Sequence, residues 1–546
     1  MKPPCSDVEA PRRPSAFADR IRTPSRWGAR TGIPAFAWGT IAALLLIRCA
    51  LAPLVVLTPE EAYYWMYSKH PALSYLDHPP VVAWVIRAGS ALFGDSEFGV
   101  RFGTLLLTAA STWLCYRLSA DWCGRRAGWV AALLFNIAPL FFAAGFLAMP
   151  DAPLGFFWLL TLLAVTRAVR RDSLSWWLLA GAATGLAFLA KYPAALLVTG
   201  AFLFLLSDRR GRMHLVRPGA WLALGVAILV AAPTLWWNAE HDWASFRFQF
   251  GRRLDQHGGV NPLQALASWG VQLLALSPLV FALVVAAVVV GLRRLRRDAV
   301  GRWRFAICFS VPWLAVCVYH GLFSEIRMNW AIPAYLSLLP VTATLLRARS
   351  LPFLRRLAPP RWQRVLAGYA GVLLVANVLL AIFITGWMPL LPTPSAFVRW
   401  DELGHAAELA EEAFHQEAGS EPFILADDRY NLASELGFYM RDPGDDGDWR
   451  DVIPLGAAVG GGLSFVYWRD TATFLGRNAI FISTDAKASK IMALRRAFAA
   501  VDEPRHLLTL SRGTRRPVGY YVVRCHRFLH PPESVPPAPD AAEFAQ

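Results

Sequence analysis

Charge is scarce in this sequence: Asp, Glu, Lys and Arg make up 17% of its 546 residues, against 55% hydrophobic residues, and mean hydropathy is +0.37. That balance excludes an ordinary soluble enzyme and leaves a polytopic membrane protein. Cysteine is sparse as well. The seven cysteines form no CxxC pair, which removes the usual tight zinc site, and Cys525 has no partner within the C-terminal region for a structural disulfide. A nucleotide-binding loop is also missing. Gly460-Gly461-Gly462 lacks the lysine and spacing of a phosphate loop and reads as a flexible connection, so no nucleotide cofactor is expected.

What the chain does have is long apolar runs. Those of membrane-spanning length fall near 34–57, 98–119, 127–148, 152–169, 174–190, 192–207, 218–237, 263–292, 303–322, 329–346 and 365–388, predicting about eleven transmembrane helices. The shorter run 79–94 follows two prolines and reads as an interfacial or re-entrant helix. The formal net charge of +15 would suggest nucleic acid in a soluble protein, but here its placement marks a membrane side. Basic residues precede the first run and recur at Arg125-Arg126, Arg167–Arg171, Arg209–Arg217, Arg293–Arg304 and Arg347–Arg364, always in alternate loops. The positive-inside rule then puts the N-terminus in the cytoplasm, and the loop 58–97, the Met149–Asp151 corner, the loops 238–262 and 323–328 and the C-terminal region outside. Ala50-Leu51-Ala52 resembles a signal-cleavage site, but the long basic region before it favours a retained first span, and cleavage would leave the downstream orientation unchanged.

The domain plan that follows is a basic cytoplasmic segment at 1–33, a transmembrane domain at 34–390, a small external α/β domain at 391–531 and a disordered tail at 532–546. In the α/β domain, helices are expected at 400–417, 431–440 and 486–500, and strands near 422–426, 463–468, 479–483, 505–510 and 519–525, where β-branched and aromatic residues gather.

Chemistry concentrates just outside the first span. LTPEEAYYWMYSKHPALSYLDHPP, from Leu57 to Pro80, holds three carboxylates, two histidines, a lysine and five aromatics. Glu60, Glu61 and Asp77 with His78 lie at the bilayer surface, and Asp151 in AMPDAP sits in a short corner between two spans, where an acid is costly unless it serves a site. Two such acids can divide the work, one taking a proton from an acceptor hydroxyl, the other orienting it or holding a divalent cation near a leaving phosphate. Whether a metal is needed stays open, with Glu60 and Asp151 as the residues that would hold it. A leaving phosphate requires positive charge, and the external cations are few: Lys69, Lys191 in LAKYPA, Arg252, Arg253 and His257 after the aromatic stretch WASFRFQF, and Arg327 in FSEIRMNW. Arg252 and Arg253 read equally well as anchors to anionic membrane lipid.

EEAYYW, SYLDHPPVVAW, FGDSEFGVR, AMPDAP, FLAKYPA, WNAEHDWASFRFQF and NWAIPAYLSLLP together resemble the bacterial branch of the dolichyl-phosphate-mannose-protein mannosyltransferase family over roughly residues 55 to 345. The resemblance implies a membrane glycosyltransferase of GT-C architecture in the bacterial inner membrane. Such an enzyme takes a sugar from a polyprenyl-phosphate donor on the outer face and passes it, with inversion, to an envelope acceptor. The family's loop opens with Asp-Glu and its aspartate is taken as the base; here the pair is Glu60-Glu61, so Glu60, Glu61 and Asp151 all stand as catalytic candidates. Tyr63, Asp77, His78, Glu97 and Arg101 are expected to position acceptor or donor. The favoured acceptor is lipid A or the lipopolysaccharide core, with a protein serine or threonine as the alternative. A transporter or flippase for lipid-linked sugars is the reading from another class, disfavoured because the ionisable residues gather outside the midplane and no inverted repeat is visible.

Overall fold

A computed structural model describes residues 33–251, 259–298, 300–347, 359–384, 399–427, 429–440, 451–458, 462–468, 470–485, 487–510 and 517–529. The transmembrane part is helical. Its principal elements are α1 (Ile33–Leu51), α2 (Pro59–Lys69), α3 (Val81–Phe93), α4 (Glu97–Cys123), α5 (Arg125–Ile137), α6 (Pro139–Ala144), α7 (Asp151–Arg171), α8 (Leu174–Ala190), α9 (Leu196–Leu206), α10 (Arg209–Leu215), α11 (Pro218–Glu240), α12 (Pro262–Leu276), α13 (Pro278–Arg294), α14 (Arg302–Gly321), α15 (Ile332–Arg347) and α16 (Pro359–Ile384).

Among the described helices, five are long and apolar enough to cross a membrane by length and composition: α4, α7, α11, α14 and the stretch Pro278–Arg297 that begins with α13. The other apolar runs form shorter helices, and two expected spans are broken. The run 127–148 divides between α5 and α6 at the extended Ala138, where Pro139 cannot donate the amide that would continue the helix. The run 263–292 divides between α12 and α13 at Ser277, whose φ of 72° lies in the left-handed region just before Pro278. The run 79–94 is the amphipathic helix α3, pressed against α4. A Cβ on Gly89 would come within 2.2 Å of the Gly99 carbonyl oxygen, so backbone contact of this closeness requires glycine.

The C-terminal part comprises α17 (Trp400–Ala418), β1 (Phe423–Ala426), α18 (Asn431–Tyr439), β2 (Val452–Pro454), β3 (Ala479–Ser483), α19 (Ala488–Ala497), β4 (Phe498–Val501), β5 (Arg505–Leu510) and β6 (Val518–Phe528). Its sheet runs β2-β1-β3-β6-β4, with β5 also on β6. The pairs β1–β2 and β1–β3 are parallel, and β6 lies antiparallel to β3. Four of the five expected strands and the expected helices are present within a few residues, but 463–468 is not a strand. Phe465–Trp468 is a helical turn, because its rings are drawn out of register with the sheet and onto α2: Phe465 and Trp468 each lie 6.0 Å from Tyr63, and Trp468 stacks on His70 at 4.7 Å. The two halves of the chain share one apolar core. Leu57, Tyr63, Trp65 and Val82 pack in the same cluster as Trp400, Ile424, Leu436, Ile480 and Tyr520.

Candidate active site

The site is built around α2. Thr58 caps it, with its hydroxyl accepting from the Glu61 amide while the Glu61 carboxylate accepts from the Thr58 amide, and Pro59 occupies the first turn. This reciprocal cap explains why TPEE starts a helix at the membrane surface. It also fixes Glu61 completely. Arg101 of α4 grips its carboxylate through Nε at 2.8 Å and Nη2 at 2.6 Å, and the Ala148 amide donates at 2.9 Å. Both side chains are fully buried. The rest of the Arg101 guanidinium donates to the carbonyls of Ala52, Val55 and Val56, beneath the ring of Phe146. Glu61 and Arg101 are therefore a clamp joining the end of the first span, α2, α4 and the Met149 corner. This corrects two expectations: Glu61 has no lone pair to spare for a proton, and Arg101 cannot reach a substrate.

Glu60, one residue earlier, points elsewhere. It is half-buried and accepts no hydrogen bond among the described residues. Of Glu60, Glu61, Asp77, Asp95 and Glu97, it alone remains uncommitted. Asp95 holds Lys69 at 2.7 Å and accepts from the Trp65 indole at 2.7 Å, so Lys69 is tied beside α3 and not presented to a phosphate. Glu97 opens α4 and accepts from the Tyr439 hydroxyl at 3.2 Å.

Asp77 is buried under a roof of hydroxyls. Tyr63 donates at 2.9 Å, Tyr67 donates at close range, and Ser464 of the C-terminal part donates at 3.3 Å. Burial pushes the Asp77 carboxyl above its ordinary 3.8, with the hydroxyl donors pulling the other way. Burial first, then Asp77 itself, push the Tyr63 and Tyr67 hydroxyls well above 10, so both remain donors. Tyr63 and Asp77 thus shape the site by holding the loop 70–80 against α2. His78, next along, lies edge-on to Tyr64 at 5.5 Å.

The second half of the site is a cleft enclosing about 430 Å³, lined by His78, Asp151, Lys191, Gln249, Asn329 and Trp330 among others. Asp151 opens α7, and its carboxylate is shared between Lys191 Nζ at 2.9 Å and Asn329 Nδ2 at 2.8 Å. Lys191, at the end of α8, makes no other side-chain hydrogen bond among the described residues, which leaves two of its three N–H donors. Gln249 donates to the Asp77 carbonyl at 2.6 Å, and Ser245 to the Tyr75 carbonyl at 2.9 Å. The loop after α11 is thereby laid across the loop that carries Asp77 and His78.

Arg327 is exposed beside this cleft, and does not line it. Arg252, Arg253 and His257 lie outside the described residues. Among the described residues, no three His, Cys, Asp or Glu side chains converge to hold a metal ion. Sequence reasoning missed Asn329 and Gln249, although both stand inside quoted motifs, as the residue before Trp330 and the polar break in FRFQF. It also missed Glu435. That residue comes from α18, is 1% exposed, and neither carboxyl oxygen has a hydrogen-bond partner among the described residues. Burial, then the fields of Glu61 and Glu60, push its carboxyl well above 4.5.

The model of the family described as dolichyl-phosphate-mannose-protein mannosyltransferase matches residues 77–237. The lipid A galacturonosyltransferase RgtD of Rhizobium johnstonii is 28% identical over 387 residues, 70% of this chain and 77% of that protein. An undecaprenyl phosphate-alpha-4-amino-4-deoxy-L-arabinose arabinosyl transferase of Pseudomonas paraeruginosa is 34% identical over 223 residues, 36% of this chain and 40% of its own length. In fold, the chain matches ArnT from Cupriavidus metallidurans in the apo state with a TM-score of 0.60 at 16% identity, covering 90% of this chain and 98% of that one. The form of the same protein bound to undecaprenyl phosphate matches with a TM-score of 0.58. The resemblance carried by the motifs is therefore met by a family model over residues 77–237, by relatives named as glycosyltransferases, and by the fold of ArnT.

Proposed function

We propose that the enzyme transfers a sugar from undecaprenyl phosphate to lipid A or the lipopolysaccharide core, at the outer face of the bacterial inner membrane. The donor and acceptor classes are those named for its relatives. Glu60 carries the reading at the level of residues, as the part-exposed carboxylate of the α2 cluster that no described neighbour neutralises. In the proposed step Glu60 takes the proton of an acceptor hydroxyl, whose oxygen attacks the sugar's anomeric carbon from the side opposite the phosphate. The bond from that carbon to the phosphate oxygen breaks, its electron pair leaves with the lipid phosphate, and the configuration inverts. The spare donors of Lys191, oriented by Asp151, meet the growing charge on the phosphate. Asn329 holds the other oxygen of Asp151, which keeps the lysine directed into the cleft.

The finer topology belongs to the same proposal. Eleven crossings, a cytoplasmic N-terminus and a periplasmic C-terminal domain are supported by the alternation of basic loops. In that orientation Glu60, Asp151 and Lys191 share the periplasmic side with the acceptor. Purified enzyme given lipid A and an undecaprenyl-phosphate sugar, galacturonic acid in one reaction and aminoarabinose in another, should yield lipid A heavier by one sugar in mass spectrometry. Glu60→Gln should lower the rate at least about a hundredfold, the scale of a lost general base, with parental thermal stability. Parental rates in Glu60→Gln would remove Glu60 from the mechanism.

A further inference from the structure

At the far end of α7 from Asp151 lies a second concentration of charge that the transfer reaction does not use. With a rise of about 1.5 Å per residue, the α7 helix puts its last turn about 30 Å from the site. Three helix ends meet there: the last turns of α4 and α7 and the first turn of α14. Five arginines, Arg117, Arg167, Arg170, Arg302 and Arg304, face three carboxylates, Asp121, Asp208 and Asp298, and the carboxylates are already engaged. Asp121 takes Arg167 at 3.1 Å and Arg117 at 4.0 Å, and its backbone carbonyl takes Arg170 at 2.6 Å. Asp298 caps α14 through the amides of Trp303 and Arg304, and Asp208 pairs with Arg304 at 3.0 Å.

Donors remain over. Nε of Arg117, Nη2 of Arg167, Nε and Nη2 of Arg170 and Nε of Arg302 are all shut away from solvent without a hydrogen-bond partner among the described residues. Arg170 lies flat on Trp122, 3.8 Å from the ring centroid, and Arg167 is 4.8 Å over Trp176, so neither can swing out to water without leaving its ring. Desolvated guanidinium forks in excess over carboxylates require an anion with several acceptor oxygens, which a phosphate provides. Beside Trp176, Trp177 lines an apolar crevice enclosing about 610 Å³, with Val165, Leu205, Leu215 and Trp221 among its walls. Phosphate donors next to an apolar furrow at a helix-bundle edge suit a lipid, and basic pockets of this kind on the cytoplasmic side bind anionic headgroups.

We propose that the cluster formed by Arg167, Arg170 and Arg302 at the junction of α4, α7 and α14 is a binding site for one anionic phospholipid of the membrane leaflet opposite the sugar-transfer site, its phosphate on the guanidinium groups and an acyl chain along the neighbouring crevice. The test uses full-length enzyme in detergent, with phosphatidylglycerol, phosphatidylcholine or inorganic phosphate added in separate arms. Native mass spectrometry should show one retained phosphatidylglycerol, and the unfolding temperature should rise saturably with that lipid only. Arg170→Gln combined with Arg302→Gln should weaken retention at least about tenfold, the scale of one lost charged hydrogen bond or more, while sugar transfer without added lipid stays at the parental rate. Arg293→Gln with Arg294→Gln, exposed cations of the same face, should retain the lipid as the parent does. If the first double variant does not fold, Arg170→Lys, which keeps the charge but loses the fork, should still weaken retention. Equal retention of phosphatidylcholine, the same stabilisation by inorganic phosphate alone, or parental retention in the Arg170 variants would overturn the proposal.

Discussion

Glu61→Gln separates a structural acid from a catalytic one at a position where the motif alone does not. In the parent, the Glu61 carboxylate and the Arg101 guanidinium are both fully buried and bonded side-on. Replacing the acid with its amide leaves Arg101 as an uncompensated buried charge, and it turns an NH2 group toward the Arg101 and Thr58 donors. Breaking a buried pair from one side costs about 3–5 kcal/mol. Because the same carboxylate also receives the Ala148 amide, the upper part of that range is expected. The assay is unfolding of the detergent-purified enzyme at one fixed heating rate, since irreversible unfolding makes the midpoint rate-dependent, with residual transfer activity measured well below the midpoint. Glu61→Gln should unfold far earlier, and whatever folded fraction remains should transfer sugar at a rate within several-fold of the parent. Arg101→Gln should behave alike, and the double variant should cost less than the two singles added, because a neutral pair no longer strands a charge. A Glu61→Gln enzyme of parental stability with no transfer would refute this assignment and make Glu61 the base.

Two further outcomes follow from the same side chains. Lys191→Gln should lower kcat/KM for the lipid-phosphate donor about tenfold to a hundredfold, as expected for one charged hydrogen bond; an unchanged value would place leaving-group neutralisation on another cation. Glu435 gives a pH signature with a definite sign. Its folded value is raised above the ordinary 4.5, so its stabilising contribution is complete below pH 4.5 and is lost as pH rises toward the folded value, by up to about 1.4 kcal/mol per pH unit. Glu435→Gln, which cannot ionise, should flatten that decline in unfolding temperature on the alkaline side, and a parental slope in the variant would show that the acid is not held neutral.

Much of the fold was legible because its signals are local. Apolar runs bounded by arginines depend on neighbours a few residues apart, and the structure has helices at all of the apolar runs. Asp151 and Lys191 were legible for a related reason: each is an ionisable group in a short corner, where a membrane protein tolerates little charge. What stayed hidden depends on contacts that spacing does not encode. Arg101 and Glu61 are 40 residues apart, Asn329 and Asp151 are 178 apart, and Ser464 reaches Tyr63 across 401. The motif shows that a group of acids is present, but only these pairings tell which members are spent. The same holds for Phe465–Trp468, whose composition reads as a strand and whose rings are instead used by α2.

Those pairings follow one electrostatic logic. A carboxylate near the bilayer is costly unless it is paired or bonded, and here Glu61 is matched by Arg101, Asp95 by Lys69, Asp151 by Lys191, and Asp77 by three hydroxyls. Each neutralised acid joins elements that are distant in sequence, so each is committed to geometry. Glu60 stands among them at the mouth of the first span, half-buried and without a hydrogen bond among the described residues, near Glu435, whose carboxyl burial pushes well above its ordinary range. The C-terminal part supplies both Glu435 and the Ser464 hydroxyl on Asp77, and the apolar core it shares with α2 is the reason it is held there.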